Sequence, residues 1–169
     1  INMRKANYDK FPSTKLTGML VQGWDSIISM LKKKMDARKV LAVDLYTGVY
    51  EEEVLDAFSK EFSGRVMNVR DLMKPEKEIQ TLTERFMTED VLFGYVTNLK
   101  LEDYLDADKV AAARKQISEA KETIVIIGTG AAVVAPQDAM VVYADMARWE
   151  IQQRFRRHEV KALGIDNRN

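Results

Sequence analysis

Two glycine-containing turns hold the residues best suited to chemistry in this chain. Thr47-Gly48 follows one apolar run, and Gly128-Thr129-Gly130 follows a second. Turns of this kind, placed between a strand and a helix, present backbone N–H groups that can bind an anion. In an open α/β sheet, ligands bind where the strands end. If the two strands are neighbours, the turns lie side by side and form one shallow, anion-sized cleft.

Strands and helical patterns alternate along the chain, and this order places both turns at the same edge of a sheet. The alternation predicts an α/β fold, a three-layer sandwich with a mostly parallel sheet. We expect the first and third central strands to be adjacent and parallel, and the last two to be buried on both faces. The predicted central strands are Val40–Leu45, Val66–Val69, Ile124–Ile127 and Met140–Tyr143.

Three helices have recognisable ends. Asp25 or Ser26 is expected to cap the first helix, and Asp106 is expected to cap an alanine-rich helix near the middle of the chain. The last and longest helical pattern, Arg148–Leu163, is basic. It is expected to end at Gly164, because glycine commonly follows the last residue of a helix.

The turn after the first strand lacks groups that phosphoryl transfer requires. A working phosphate loop combines several glycines with a lysine for the phosphate oxygens and a Ser or Thr for magnesium. Here Gly48 is followed by Glu51-Glu52-Glu53 instead. Three carboxylates at a helix N-terminus satisfy the helix dipole and repel a triphosphate. The sequence therefore favours a plain strand-to-helix turn over an ATP site, and we assign no catalytic residue.

The second turn, Gly128-Thr129-Gly130, matches a dinucleotide-binding fingerprint only in part. The third glycine of that fingerprint would fall at Val133. Small residues at this place are also explained by close packing between the loop and the helix that follows it. Both interpretations stay open for this turn.

Arginines of the last helix are the candidate cations for a bound anion. Arginine contacts phosphate oxygens in a bidentate manner. We expect Arg148 or Arg154 to reach over the two glycine turns and complete a phosphate- or nucleotide-binding site. The alternative is a solvated or subunit-facing surface, since Glu150 offsets part of the charge. The helix carries Arg148, Arg154, Arg156 and Arg157.

Composition excludes several classes of function. The 169 residues contain 26 Lys and Arg against 26 Asp and Glu, so no net charge recruits nucleic acid or an acidic membrane. With no cysteine and a single histidine, the chain offers no disulfide and no thiol nucleophile, and we assign no metal ligand. No apolar run approaches the roughly 18–20 residues of a membrane span. We therefore expect a cytoplasmic location, with no nucleic acid and no membrane as partner.

Three segments resemble parts of uridine-kinase-type P-loop kinases. Residues 138–157 (DAMVVYADMARWEIQQRFRR) are similar to the last core strand and the arginine-rich helix of those enzymes. Residues 39–54 (KVLAVDLYTGVYEEEV) and 123–132 (TIVIIGTGAA) stand where their phosphate loop and acidic-motif strand would be. The resemblance implies a P-loop nucleoside-kinase-like fold with a degenerate phosphate loop, or Walker A motif. The kinase lysine is missing, and no acidic residue ends the strand at Ile127.

More closely, the whole chain, including residues 6–15 (ANYDKFPSTK), resembles the N-terminal region of certain long class I mannose-6-phosphate isomerase-like (phosphomannose isomerase) proteins. In these, a degenerate kinase-like domain precedes a cupin-type isomerase domain. The resemblance implies a parent that interconverts mannose 6-phosphate and fructose 6-phosphate. Zinc is then expected in the cupin domain, and no cofactor in this chain. The partner that the resemblance implies is the chain's own C-terminal cupin domain.

The resemblance also implies a division of the chain. Residues 1–38 would form an N-terminal arm and helix, residues 39–164 the kinase-like α/β domain, and residues 165–169 the start of a linker. Three functions remain open. The first is a non-catalytic accessory domain that binds a phosphorylated small molecule weakly or supports the cupin. The second is an active small-molecule or nucleoside kinase with an atypical phosphate loop, and the third is an assembly module that uses the arginine helix.

Overall fold

Four parallel strands form one sheet in the order β2-β3-β1-β4. The computed structural model describes residues 8–9, 11–15, 17–90 and 93–166. The strands are β1 (Val40–Leu45), β2 (Arg65–Asn68), β3 (Ile124–Gly128) and β4 (Met140–Ala144), within one or two residues of the predicted bounds.

The expected pairing of the first and third strands is confirmed. β1 and β3 are parallel neighbours, and their register runs from Val40 opposite Ile124 to Asp44 opposite Gly128. Because parallel strands end at the same edge of a sheet, the turns that follow β1 and β3 lie side by side. This is the edge at which the sequence predicted a cleft.

Helices cover both faces of the sheet and complete a three-layer α/β fold. Buried side chains of α1 and α2 pack on one face, and those of α3, α4 and α5 pack on the other. Two short 3-10 turns, at Val69–Leu72 and Leu101–Tyr104, lie in the connections. The helices are α1 (Trp24–Met35), α2 (Glu51–Glu61), α3 (Glu76–Glu84), α4 (Ala107–Glu119), α5 (Ala131–Val134) and α6 (Arg148–Arg156).

The two C-terminal strands differ in burial, although the sequence predicted the same for both. Every residue of β3 is buried, which confirms a parallel strand covered on both faces. The same prediction for β4 is wrong, because Val141 and Tyr143 are exposed. β4 is an outer strand, and only the side chains of its alternate residues reach the core beneath α1 and α2.

Two predicted helix ends differ from those in the structure. The first helix begins after Gly23, so Asp25 and Ser26 lie within its first turn and neither is the capping residue. The ring of Trp24, its first residue, packs edge-on against Phe58. By contrast, Asp106 caps α4 as predicted and accepts hydrogen bonds from two backbone N–H groups of its first turn.

The last helix is also shorter than predicted. It ends at Arg156, not at Leu163, because His158 adopts a left-handed conformation with φ of 57°. Arg157 then bonds back to both Glu150 and Glu159, which holds the chain in this turn. Among the described residues, no helix is long and apolar enough to cross a membrane.

A matched pair of valines tests the buried core. Val125 in β3 is 0% exposed, whereas Val96, in the connection after α3, is 98% exposed. We expect Val125→Ala to lower the free energy of unfolding by about 2–3 kcal/mol, from lost burial and a cavity. Val96→Ala should change it by less than about 0.5 kcal/mol. Urea unfolding of the two variants measures both, and equal costs would contradict the described burial.

A cleft at the carboxyl ends of the strands

A cleft of about 360 Å³ opens at the edge of the sheet where the parallel strands end. Its walls come from the turn after β1, the start of α2, the end of β2 and the segment that follows α6. Tyr50 and the first turn of α2 form one side, and residues 159–163 lie across from them. Elements distant in sequence therefore meet at this place, as the strand order requires.

Three of the predicted site residues line this cleft: Thr47, Gly48 and Thr129. Gly128 and Gly130 flank Thr129 in its turn without being part of the lining. Arg154 reaches the first turn, where its NH1 donates a 2.9 Å hydrogen bond to the carbonyl oxygen of Gly48. Arg148 is exposed at the start of α6 and is not among the residues that line the cleft.

Two of the glycines are required by close packing. Gly48 has φ of 97°, and a Cβ added to it would lie 2.9 Å from Cγ2 of Ile151 in α6. Gly128 has φ of 136°, and its Cβ would lie 2.8 Å from Cβ of Val69. Both conformations favour glycine. Gly128 is therefore explained by close packing, although against Val69 in the 3-10 turn after β2 and not against the helix that follows the loop.

The carboxylate of Asp44 accepts hydrogen bonds from two backbone N–H groups that follow β3. Asp44 Oδ1 accepts a hydrogen bond from the N–H of Gly130 at 3.1 Å, and Oδ2 accepts one from Ala132 at 2.9 Å. The N–H of Gly130 belongs to a turn predicted to bind an anion, whereas Asp44 and Ala132 were not among the predicted site residues. The signal for Asp44 was a single charged residue within the apolar run of β1.

Arg154 is fixed by three contacts. Its guanidinium carbon lies 3.7 Å from the ring centroid of Tyr50, and its Nε donates to Glu150 Oε1 at 3.2 Å. With the bond to Gly48, these contacts join α6 to the turn after β1. Hydrogen bonds from Arg154, and secondly from Arg157, hold the pKa of Glu150 below its usual value.

The cations of the cleft are already paired with carboxylates. Arg70, after β2, donates to Glu51 Oε2 at 3.0 Å through NH2. Lys161 lies 3.1 Å from a carboxylate oxygen of Asp166. The other oxygen of Glu51, Oε1, is buried and has no hydrogen-bond partner among the described residues. Both positive charges of the cleft lining are therefore offset by neighbouring carboxylates.

The segment after α6 closes one side of the cleft. Tyr50 donates a 2.6 Å hydrogen bond from its hydroxyl to Glu159 Oε2, and Arg157 donates to both oxygens of the same carboxylate. The hydrogen bonds from Arg157, and secondly from Tyr50, lower the pKa of Glu159 to about 2. Val160 is buried beside it. Among the described residues, no group of three or more His, Cys, Asp or Glu side chains is arranged to hold a metal ion.

Comparison with known proteins identifies the family to which this chain belongs. Residues 23–169 match the family described as Domain of unknown function (DUF8485). The chain belongs to this family. The DUF8485 match contains α1 to α6, all four strands and the cleft, whereas the preceding arm lies outside it. No curated protein and no solved structure gives a significant match.

The contribution of Asp44 to stability can be measured against that of a second aspartate in the DUF8485 domain. Asp44→Ala leaves two backbone N–H groups without their acceptor and should lower the free energy of unfolding by about 1–3 kcal/mol. Among the residues that the structure describes, the hydrogen bond that Asp145 accepts is a local one, from the N–H of Met146. Asp145→Ala should therefore lower the free energy of unfolding by less than about 0.5 kcal/mol. Chemical unfolding measures both, and an Asp44→Ala variant as stable as the wild type would exclude a stabilising role for these bonds.

The carboxylate of Glu159 predicts a pH dependence of stability. Its pKa in the folded chain, about 2, lies below the ordinary value of 4.5. The stabilisation is therefore complete above about pH 4.5 and is lost as the pH falls towards about 2. Glu159→Gln should remove this contribution, so the stability difference between wild type and variant shrinks over that range.

Unfolding curves recorded at a series of pH values measure this difference. Glu119→Gln serves as the control, because within the described part of the chain Glu119 forms a single exposed pair, with Lys115 at 4.0 Å. Its stability difference from the wild type should stay small throughout. A Glu159→Gln difference that does not change with pH would contradict the described contacts.

Proposed function

We propose that this chain is a non-catalytic, P-loop-kinase-like accessory domain of a mannose-6-phosphate isomerase-like protein. The charge of the cleft is the observation that carries the non-catalytic part. A phosphate site needs an excess of positive charge or free donors. Here two paired cations, Arg70 and Lys161, stand among the glutamates that line the cleft, which are Glu51, Glu52, Glu53 and Glu159.

The hydrogen-bond donors near the cleft support the same proposal. The N–H groups of Gly130 and Ala132 are bonded to Asp44. Arg154 is bonded to the carbonyl of Gly48 and to Glu150. An incoming phosphate would have to displace these internal contacts. Weak binding of a phosphorylated small molecule is therefore the most that we propose for Thr47, Gly48, Thr129 and the neighbouring residues.

The resemblance of the sequence supports the identity of the parent. In this proposal the C-terminal cupin domain of the parent carries the zinc and the interconversion of mannose 6-phosphate and fructose 6-phosphate. The kinase-like domain contacts that cupin domain, and the compartment is the cytoplasm. A cupin-type histidine and glutamate cluster encoded after Asn169 would support this parent, and a different domain there would overturn it.

Titration and activity assays test the non-catalytic proposal. We expect no phosphoryl transfer from ATP to mannose or to nucleosides, and an ATP dissociation constant weaker than about 1 mM by calorimetry. Turnover that remains after dialysis and repeated purification would overturn the proposal and favour the kinase alternative. Inorganic phosphate is titrated in the same way as the probe for weak binding.

Charge reversal tests whether the cleft is where phosphate binds. Glu52 is exposed at the start of α2 and lines the cleft. Glu52→Lys should strengthen phosphate binding by about threefold to tenfold, since an opposing charge becomes an attractive one. Glu119→Lys is the control, because Glu119 ends α4 before β3 begins, at the opposite end of the sheet. Equal changes in both variants would exclude the cleft as the site.

A further inference from the structure

The two outer strands of the sheet differ in how their free edges are protected. β2 has only four residues, begins at the charged Arg65 and continues directly into a 3-10 turn. β4 has five residues, MVVYA, with no charge and no proline. Its Val141 and Tyr143 are 53% and 59% exposed. Proteins usually protect outer strands with charges, prolines or short length, so β4 has the character of a pairing edge.

The backbone of β4 has groups available for a further strand. The carbonyl oxygen of Ala144 accepts a 2.9 Å hydrogen bond from the N–H of Tyr46, so Ala144 faces β1. The N–H and C=O groups of alternate residues in a strand point to the same side. Val142 therefore also faces β1, whereas Val141 and Tyr143 direct their backbone groups to the outer edge of β4, where no other described strand pairs.

We propose that a second copy of this chain pairs with β4 in an antiparallel arrangement with two-fold symmetry. With Val142 on the axis, Val141 of each copy faces Tyr143 of the other. These are the residues with outward backbone groups, so they exchange hydrogen bonds. The same pairing places an aromatic side chain opposite a β-branched one, which is a favourable cross-strand pair. The sheets of the two copies become one continuous sheet.

The positions of the charged residues that flank β4 are compatible with this register. The residues flanking β4 include Asp138 and Asp145. In the proposed pairing Asp145 faces Ala139 of the second copy, and Asp138 faces Met146. No aspartate stands opposite another, so the repulsion that like charges cause in cross-strand pairs is avoided.

The apolar surface at this edge indicates a weak dimer. Tyr46 packs edge-on against Tyr143, with ring centroids 6.4 Å apart, and is itself 47% exposed. Together with Val141, these rings leave roughly 300 Å² of side-chain surface available per copy. Stable interfaces bury about 800 Å² per partner, so we expect a weak dimer whose population depends on protein concentration.

Sedimentation of the full 169-residue chain over a range of concentrations tests the proposal. We expect a monomer–dimer equilibrium. Tyr143→Lys should raise the dimer Kd at least tenfold, because a lysine at the edge replaces the aromatic partner of Val141. Val96→Lys, the same kind of apolar-to-lysine change at an exposed position outside the sheet, should leave Kd unchanged. A chain that stays monomeric at every concentration overturns the proposal.

Cysteine crosslinking tests the register in this cysteine-free chain. Val142 faces itself across the axis, where the Cα atoms of such a pair lie about 4.5 Å apart, within disulfide range. Val142→Cys should therefore form an interchain disulfide on mild oxidation. Met140→Cys should not, because Met140 packs towards the same core cluster as Val142 but faces Ala144 of the second copy. Equal crosslinking of the two variants, or none in Val142→Cys, would exclude this register. Circular dichroism confirms that each variant is folded.

Discussion

Parallel pairing between β1 and β3 sets Asp44 opposite Gly128, and the arrangement of the cleft follows from that register. The carboxylate of Asp44 is thereby brought to the backbone N–H groups of Gly130 and Ala132 at the start of α5. A shift of one residue would turn this side chain to the other face of the sheet, away from those donors. The fully buried β3 specifies the register, because each of its residues packs against helices or neighbouring strands.

Arg154 connects the turn after β1 to another part of the chain, as Asp44 does for the turn after β3. Its bonds to Gly48 and Glu150, and its position over the ring of Tyr50, join α6 to the turn. The close approach of Ile151 to Gly48 adds an apolar contact at the same place. These contacts engage the guanidinium of Arg154, a cation that the sequence analysis assigned to a bound anion.

The cleft and the β4 edge lie in different parts of the sheet and have different chemistry. The cleft is lined by glutamates and paired cations, whereas β4 is apolar and pairs, among the described strands, with β1 alone. Tyr46 lies between them, since it lines the cleft and its ring packs against Tyr143 of β4.

The sequence by itself determined the strands, their parallel arrangement and the edge at which the turns meet. Uninterrupted apolar runs and the alternation of strands with helices carry that information locally. It also pointed to Thr47, Gly48 and Thr129, which line one cleft. Only the tertiary structure decided that Asp44 caps α5, that Arg154 is bonded to Gly48, that α6 ends at Arg156 and that β4 is half exposed. These features depend on contacts between residues far apart in the chain and on which strand lies at the edge, and no local pattern of residue types records either.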